Sequence, residues 1–263
     1  MDFHGYAGKI LHVDLTKKKI KEEQLSEELI RGYIGNLGIN TKLAYDLIKP
    51  GIDPLSPENY IILGTGPMGG TTAPACSRSN ANYKSPLTNL FGSANAGDSI
   101  ALMLKFSGYD HLVISGKAEE PVYLKINNEE VEVLDAGHLW GKDVFETTDR
   151  LWAELGDYWI NCIGQAGENL IRFANSVSNK HSTYGRTGIG AVMGSKNLKA
   201  IAARGSRGIT VADQRAFFKI IEEILGKIKA NPVTQMWRDF GFVVAFPAYG
   251  ATGLFELFNY GEG

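Results

Sequence analysis

The sequence predicts an α+β fold, in which a β-rich domain is followed by the start of a helical region. Residues 9–15 alternate between apolar and polar side chains, which is typical of a half-buried strand. Residues 122–134 contain two β-type runs on either side of Asn127-Asn128, which indicates a hairpin. Residues 213–231 instead repeat apolar side chains at helical spacing.

The N-terminal part predicts two helices after the first strands. Ser26 can cap a helix over residues 27–35, because acidic residues follow it in the first turn. A second helix is predicted over residues 41–48, and Pro50 ends it. Short strands then dominate the sequence, and the predicted segments are residues 60–63, 79–84, 112–114, 122–126 and 131–134.

The second half predicts one more helix and a change of domain. The helix covers residues 143–155, and strands follow at residues 159–163 and 200–203. A boundary within residues 206–212 separates a domain at residues 1–208 from a helical region at residues 209–263. The helical region is expected to be incomplete, because residues 240–263 form an apolar, glycine-rich tail.

Composition narrows the class of protein. The net charge of −2 does not suggest a surface that binds nucleic acid or membranes. No apolar run approaches the ~18 residues of a membrane span, and no signal peptide is visible, so a cytoplasmic location is expected. Cys76 and Cys162 are too few to ligate an iron–sulfur cluster or a structural zinc ion.

Residues 185–199 form a glycine-rich stretch with interleaved cations. Dense glycines let backbone N–H groups approach a ligand closely, and the cations suit phosphate. A glycine-rich turn between two strands explains the pattern equally well, and the spacing is neither that of a P-loop nor of a dinucleotide fingerprint. Lys196 and Lys199 are accordingly either solvated side chains at a strand entry or phosphate-binding cations.

Several motifs occur in the order of one known family. They are residues 8–11 (GKIL), 13–16 (VDLT), 53–59 (DPLSPEN), 84–88 (KSPLT), 108–110 (GYD), 116–119 (GKAE), 164–170 (GQAGENL) and 190–201 (GAVMGSKNLKAI). On these motifs the chain resembles the N-terminal domain of the aldehyde ferredoxin oxidoreductases, which are tungsten-pterin enzymes. Cys76-Ser77-Arg78 is closer to the benzoyl-CoA reductase branch of that family.

The resemblance implies a saddle of antiparallel sheets that carries two pterins sharing one tungsten or molybdenum. A magnesium ion is expected to bridge the pterin phosphates. Asn95 and Thr183 match the positions expected to hold this ion, and the backbone carbonyl of Asn95 is the expected ligand. The matching cofactor residues are Arg78, Asn95, Ala96, Gly97, Ser182, Thr183, Tyr184, Gly185 and Arg186.

The chain departs from the family pattern at three places. Ser182 stands where the family usually has an arginine, which removes a charge directed at the pterin. Asp98 replaces a second glycine after Gly97 and adds a negative charge near the phosphates. The cysteine motif for the [4Fe–4S] cluster and the substrate-pocket residues are expected beyond Gly263, so the isolated chain is expected to be inactive.

Two main functions remain open on the sequence, beside a weaker third alternative, a generic phosphate-binding module unrelated to tungsten. The first is the cofactor-binding part of an oxidoreductase acting on aldehydes or related carbonyl and acyl substrates, with ferredoxin or another iron–sulfur carrier as electron partner. The second is a truncated or freestanding domain that binds pterin or a partner without turnover. A homo-oligomer, or a subunit supplying the missing domains, is the expected protein partner, and neither nucleic acid nor a membrane is expected.

Overall fold

The computed structural model describes residues 3–97 and 100–254 of the chain. The chain divides into two units, Met1–Val211 and Ala212–Gly263. No helix within the described residues combines the length and the apolar character needed to cross a bilayer. Asp98 and the tail beyond residue 254, which the sequence analysis singled out, lie outside the described residues.

The first unit contains two six-stranded sheets. The first sheet has the strand order β2-β1-β6-β3-β4-β5, and the second has the order β11-β10-β9-β12-β7-β8. The strands are β1 Lys9–Asp14, β2 Lys19–Gln24, β3 Ile61–Thr65, β4 Ser79–Lys84, β5 Phe91–Ala96, β6 His111–Ser115, β7 Val122–Asn127, β8 Glu130–Asp135, β9 Trp159–Cys162, β10 Ser176–Ser178, β11 Ser182–Tyr184 and β12 Leu198–Arg204.

The helices of the first unit lie on both faces of the sheets, and three more belong to the second unit. Short 3-10 turns cover Gly137–Leu139 and Gly241–Ala245. The helices are α1 Glu27–Tyr33, α2 Leu37–Leu47, α3 Ile100–Phe106, α4 Val144–Leu155, α5 Gln165–Glu168, α6 Ile189–Ser195, α7 Gln214–Ala230, α8 Pro232–Phe240 and α9 Phe246–Ala251.

Strand pairing is mainly antiparallel, as predicted, but each sheet also contains a parallel pair. These pairs are β1 with β6 in the first sheet and β7 with β12 in the second. Parallel neighbours require a crossover connection, and the long connections between these strands contain helices. The α+β class predicted from the sequence is confirmed, with the sheets mixed rather than wholly antiparallel.

The core of the first unit is arranged in layers. Alternate residues of the central strands face opposite sides, so Leu11 and Leu63 join the core shared by the two sheets, whereas Ile10 and Ile62 face α1 and α2. Helices α3 and α6 also contribute to the shared core. On the far side of the second sheet, α4 packs over a separate cluster that includes Leu151.

The predicted helices form, with one shifted start. Ser26 caps α1 through its side chain, as its position indicated, and the side chain of Asp143 caps α4 in the same way. The predicted start of the second helix at residue 41 is wrong, because α2 begins at Leu37. Glycine is unfavourable within helices, so Gly38 argued against a helix in this first turn. A Cβ at Gly38 would lie 2.1 Å from the Tyr33 carbonyl oxygen, so glycine is needed where the chain folds back.

Candidate cofactor site

The candidate site lies where the edge of one sheet meets the edge of the other. Strand β5 is the last strand of the first sheet, and β11 is the last strand of the second. The two strands lie against each other, and Gly97 N donates a hydrogen bond to Ser182 Oγ at 3.1 Å. The two segments of the chain that match pterin loops, 85 residues apart at this contact, are therefore neighbours.

Strand β4 holds both segments in place. It pairs with β5 along its whole length, and side chains from its two faces reach both edges. Burial raises the pKa of the Tyr83 hydroxyl, which therefore stays protonated and able to donate. The contacts are Asn80 Nδ2 to Asn95 Oδ1 (2.9 Å), Ser79 Oγ to Tyr184 OH (2.5 Å) and Tyr83 OH to Arg186 O (2.8 Å).

The predicted site residues differ in what they present to solvent. Ala96 and Tyr184 belong to the core shared by the two sheets, so only their backbones could touch a ligand. The exposed members are Arg78, Asn95, Gly97, Thr183, Gly185 and Arg186, and Ser182 is half-buried.

The carbonyl of Asn95 points to the open edge of β5. In an antiparallel strand, the N–H and C=O of one residue share an edge, and residues two apart use the same edge. Gly97 N points away from β4 toward Ser182, so the N–H and C=O of Asn95 have that direction too. A carbonyl oxygen on an open edge is a hard ligand of the type that magnesium accepts.

Gly97 and Gly185 leave free space over the site. A Cβ added to Gly97 would meet Ser182 Oγ at 3.9 Å, and one added to Gly185 would meet Thr183 Oγ1 at 3.6 Å. Both are ordinary contact distances, and neither glycine has a positive φ angle. Among the residues that the structure describes, neither local packing nor backbone conformation therefore requires glycine at these positions. Open space above two exposed glycines fits the close approach of a ligand.

The other glycines of the 185–199 stretch are needed for packing, so the interpretation of the whole stretch as an anion-binding loop is wrong. A Cβ would lie 2.0 Å from Arg172 O at Gly188, 2.5 Å from Asn175 O at Gly190, and 2.0 Å from Gly167 O at Gly194. These residues form or precede α6, whose seven residues are all buried. The glycines let this helix approach neighbouring backbone, and the alternative of a turn between two strands is wrong as well.

Both interpretations of Lys196 and Lys199 are also wrong, because neither side chain reaches solvent. Lys196 Nζ donates to the carbonyl oxygens of Asn59 at 2.5 Å and Gly116 at 2.9 Å. Burial lowers the pKa of Lys196 to about 7. Lys199 Nζ forms a buried ion pair with Glu168 Oε1 at 2.5 Å. Both lysines therefore tie separate segments together rather than bind phosphate.

Sequence reasoning missed the role of β4. The prediction recognised a strand at residues 79–84, but the strand was given no role at the site. The available signal was Asn80 and Asn82, which are two amides on one face of a strand whose other face carries the core residues Ala81 and Tyr83. Buried amides need partners, so they indicate a polar network behind the exposed edge.

The described residues contain no group of three His, Cys, Asp or Glu side chains that could hold a metal ion. Cys76 is half-buried and Cys162 is buried, and burial raises the pKa of Cys162 to about 11, which makes it a poor thiolate ligand. A metal at the meeting edges would take backbone carbonyls and groups of a bound cofactor as ligands. The open Asn95 carbonyl, the two free glycine positions and the exposed arginines fit such a group.

Comparison with known proteins identifies the family of the chain. Residues 10–205 match the family model described as "Aldehyde ferredoxin oxidoreductase, N-terminal domain". Tungsten-containing aldehyde ferredoxin oxidoreductases from Pyrococcus abyssi and Pyrococcus furiosus are 44% and 41% identical, each over 97% of this chain and 41% of the relative. An aliphatic sulfonate oxidoreductase, WOR-like subunit, from Pyrococcus furiosus is 32% identical over 94% of this chain and 40% of its own length.

A solved structure gives the same result for the fold. The active-site complex BamBC of benzoyl coenzyme A reductase matches 86% of this chain and 35% of the solved chain, with 38% identity and a TM-score of 0.84. The chain spans about two-fifths of the length of the curated relatives it matches. It belongs to the aldehyde ferredoxin oxidoreductase family, whose N-terminal domain it carries at residues 10–205.

Proposed function

We propose that this chain binds the tungsten or molybdenum bis-pterin of an oxidoreductase that acts on aldehydes or related carbonyl and acyl substrates. Electrons would pass to a [4Fe–4S] cluster and then to ferredoxin or another iron–sulfur carrier. The cluster would be held by a part of the protein outside these residues, because the chain has only two cysteines. A cytoplasmic location and assembly with a further subunit or a second copy belong to the same proposal.

The observation that carries the proposal is the meeting of the two sheet edges around Gly97 and Gly185. Both positions are open without a structural need for glycine. Exposed Arg78 directly precedes β4, and exposed Arg186 follows Gly185. This set combines carbonyl oxygens, N–H groups and two cations, which are the groups that bind phosphates and the metal between them.

Each residue has a defined task in this proposal. The guanidinium groups of Arg78 and Arg186 would neutralise the negative charge of the pterin phosphates. Backbone carbonyls of Asn95 and Thr183 would hold the bridging magnesium ion. Gly97 and Gly185 would let the ligand lie against the backbone, with Ala96, Ser182 and the Tyr184 backbone completing the two segments. The metal and pterin would supply the two-electron chemistry, and the protein would supply orientation and electrostatics.

Relatives support the aldehyde class of substrate. Those at 40–44% identity are named tungsten-containing aldehyde ferredoxin oxidoreductases, whereas the sulfonate oxidoreductase subunit is 32% identical. The glyceraldehyde-3-phosphate:ferredoxin oxidoreductase of Pyrococcus furiosus is 26% identical over 70% of this chain. Aldehydes are therefore the first substrates to test, with an acyl-CoA reduction as the second because of the benzoyl-CoA reductase likeness.

The test measures cofactor in the chain itself. The chain is expressed anaerobically with tungstate or molybdate, and the tungsten, molybdenum, magnesium and phosphorus per chain are measured by mass spectrometry. Gly97→Leu fills the proposed cofactor space and should remove most of the metal and phosphorus. Gly208→Leu is the matched control, since Gly208 is exposed, has no positive φ and has no atom within 4 Å of its Cβ position.

Each outcome decides between the two functions left open by the sequence. Metal and phosphorus in the parent and the control, but not in Gly97→Leu, support the proposed cofactor domain. Viologen reduction with aldehydes then shows whether this chain also turns over substrate or binds cofactor without turnover. No metal in the parent chain, with an intact fold, contradicts the proposal.

A further inference from the structure

A row of polar side chains crosses the first sheet and ends at the candidate site. Strand pairing places Asn95, Asn80, Gly64 and His111 side by side on four neighbouring strands. Residues paired in this way have their side chains on one face of the sheet. Asn40 of α2 completes the row, and Gly64 leaves room for it, since a Cβ there would lie 2.2 Å from the ring of His111 and 2.8 Å from Asn40 Oδ1.

The orientation of Asn80 is fixed by its surroundings. Its Nδ2 lies near three acceptors, which are Asn95 Oδ1 at 2.9 Å, Ser93 Oγ at 2.9 Å and Ala94 O at 3.3 Å. A reversed amide would place its oxygen against the carbonyl oxygen of Ala94, which cannot donate. Asn80 therefore donates to Asn95 Oδ1. Because the oxygen of Asn95 faces Asn80, its Nδ2 hydrogens are directed away from Asn80, toward the exposed side.

The inner end of the row has the same direction. Asn40 Nδ2 donates to the backbone carbonyl oxygen of Asn80 at 2.9 Å, so Asn40 Oδ1 is the acceptor for His111 Nδ1 at 2.7 Å. His111 consequently carries its hydrogen on Nδ1. Burial lowers the pKa of His111 to about 3, so its ring is neutral at physiological pH. Asn80, Asn40 and His111 are all completely buried, which protects these bonds from competition by water.

We infer that this row presents the Nδ2 hydrogens of Asn95 as donors to an anionic oxygen, with Asn80 as the positioning residue. Asn40 links His111 to the backbone carbonyl of Asn80, and the side-chain amide of Asn80 separately donates to Asn95, so Asn80 is held by buried neighbours while it orients the Asn95 amide. The inference rests on the proposed function, in which the oxygen belongs to a pterin phosphate. It adds a side-chain donor to Asn95, whose expected contribution is its backbone carbonyl.

The experiment reverses the direction of the hydrogen bond between the side chains of Asn80 and Asn95. The carboxylate introduced by Asn80→Asp has nearly the same shape as the amide but only acceptor oxygens when ionised, so Asn95 would turn its amide and offer its oxygen to the site. Asn82→Asp is the matched control. Asn82 is also buried on β4, faces the same side, and donates to Gly92 O at 3.2 Å rather than to Asn95.

Two measurements are made on the full chain. The first is the phosphorus and tungsten content after anaerobic expression. The second is titration of the metal-free chain with pyrophosphate, followed through the side-chain NH2 signals of Asn95 by NMR. In the parent and in Asn82→Asp, pyrophosphate should shift these signals. In Asn80→Asp the shift should be lost, pyrophosphate binding should weaken about tenfold, and phosphorus content should fall.

A second variant keeps the test decisive if Asn80→Asp does not fold. Asn95→Ala removes the exposed side-chain donor and keeps the backbone carbonyl, so it should fold, bind pyrophosphate about tenfold more weakly and lose phosphorus. Equal loading and equal pyrophosphate binding in the parent and in Asn95→Ala or a folded Asn80→Asp would overturn the inference. Pyrophosphate binding at Asn95 without any cofactor loading would support the donor role and contradict the proposed function instead.

Discussion

Two groups of glycines, one exposed and one buried, have opposite surroundings, although Gly185 of the first group is only five residues from Gly190 of the second. Gly97 and Gly185 are exposed at the meeting sheet edges, and an added Cβ would make only ordinary contacts there. Gly190 and Gly194 are buried in α6, where an added Cβ would lie 2.5 Å or less from the backbone of a neighbouring segment. The missing side chains of the first group leave space for a ligand. The missing side chains of the second group leave space that neighbouring backbone of the protein already occupies.

The difference teaches that glycine density alone does not locate a phosphate site. Residues 185–199 look like one motif, but the open position ends at Gly185 and the packed region begins at Gly188. The cations divide in the same way. Arg186 is exposed beside the open glycine, while Lys199 is buried behind the packed helix. The surroundings of each residue, rather than its motif, therefore decide its role.

The largest expected effect comes from adding a methyl group to the packed region. Gly194→Ala would place its Cβ 2.0 Å from Gly167 O, and backbone on both sides cannot move without separating α5 from α6. We expect a loss of about 4 kcal/mol in the free energy of unfolding, or no folded protein. Gly185→Ala is the matched control and should change this free energy by less than about 0.5 kcal/mol.

Urea unfolding of the three proteins checks this prediction. Equal stability of Gly194→Ala and Gly185→Ala would show that the two groups of glycines do not differ in packing as the structure indicates.

The next effect concerns the buried ion pair behind α6. Lys199→Met would leave Glu168 buried at 5% side-chain exposure without its cation, and Gly141 N would be its remaining charge-stabilising donor. Removing one partner of a buried pair is strongly destabilising, so we expect a loss of about 3 kcal/mol in unfolding free energy. Lys125→Met breaks the more exposed pair with Glu132 and should cost about 1 kcal/mol or less.

Thermal and urea unfolding of both variants give the comparison. A loss no larger in Lys199→Met than in Lys125→Met would contradict a structural role for Lys199.

A pH dependence follows from Lys196. Burial lowers its pKa from 10.5 to about 7, so between these values the unfolded state binds more protons than the folded state. Stability should therefore rise as the pH increases from 7 to 8.5, by up to about 1.4 kcal/mol per pH unit from this group. A neutral amine still donates two hydrogens to the surrounding carbonyls. Urea unfolding at several pH values checks the sign.

The control for this pH dependence is Lys196→Gln, whose amide also donates two hydrogens but does not titrate. Its stability should increase less with pH than that of the parent. A stability that falls between pH 7 and 8.5 in the parent alone would contradict the lowered pKa.

The sequence predicts most elements of the fold, because alternation and helix caps are local signals. Ser26 and Asp143 begin helices where expected, and the strand at residues 9–15 forms as β1. The shared direction of β1 and β6 is not a local property, since it depends on how the intervening chain crosses over. The two parallel pairs could therefore not be predicted from the alternation of either strand.

The two segments of the candidate site could be predicted from the sequence, but the buried residues that hold them in place could not. Family resemblance indicated the segments at residues 95–97 and 182–186, and the structure places them side by side. Tyr184 and Lys196 are buried, unlike the exposed residues of the site, and the spacing of residues in the sequence did not indicate this difference. Asn80 could not be linked to His111 either, because the row that joins them depends on strand register across the sheet.

The smallest expected effect comes from the contact that joins the two open segments. Ser182→Ala removes the acceptor for Gly97 N without changing either strand, and the bond lies at an exposed edge where water can replace it. We therefore expect a loss of about 0.5–1 kcal/mol in unfolding free energy. The more direct measurement is amide exchange at Gly97, which should become faster because the N–H loses its protein partner. Ser77→Ala is the control, since Ser77 Oγ donates to the carbonyl rather than to the N–H of Gly97. If Ser77→Ala speeds exchange at Gly97 while Ser182→Ala does not, the link between the two sheet edges is wrongly assigned, and the open glycines do not share one site through this bond.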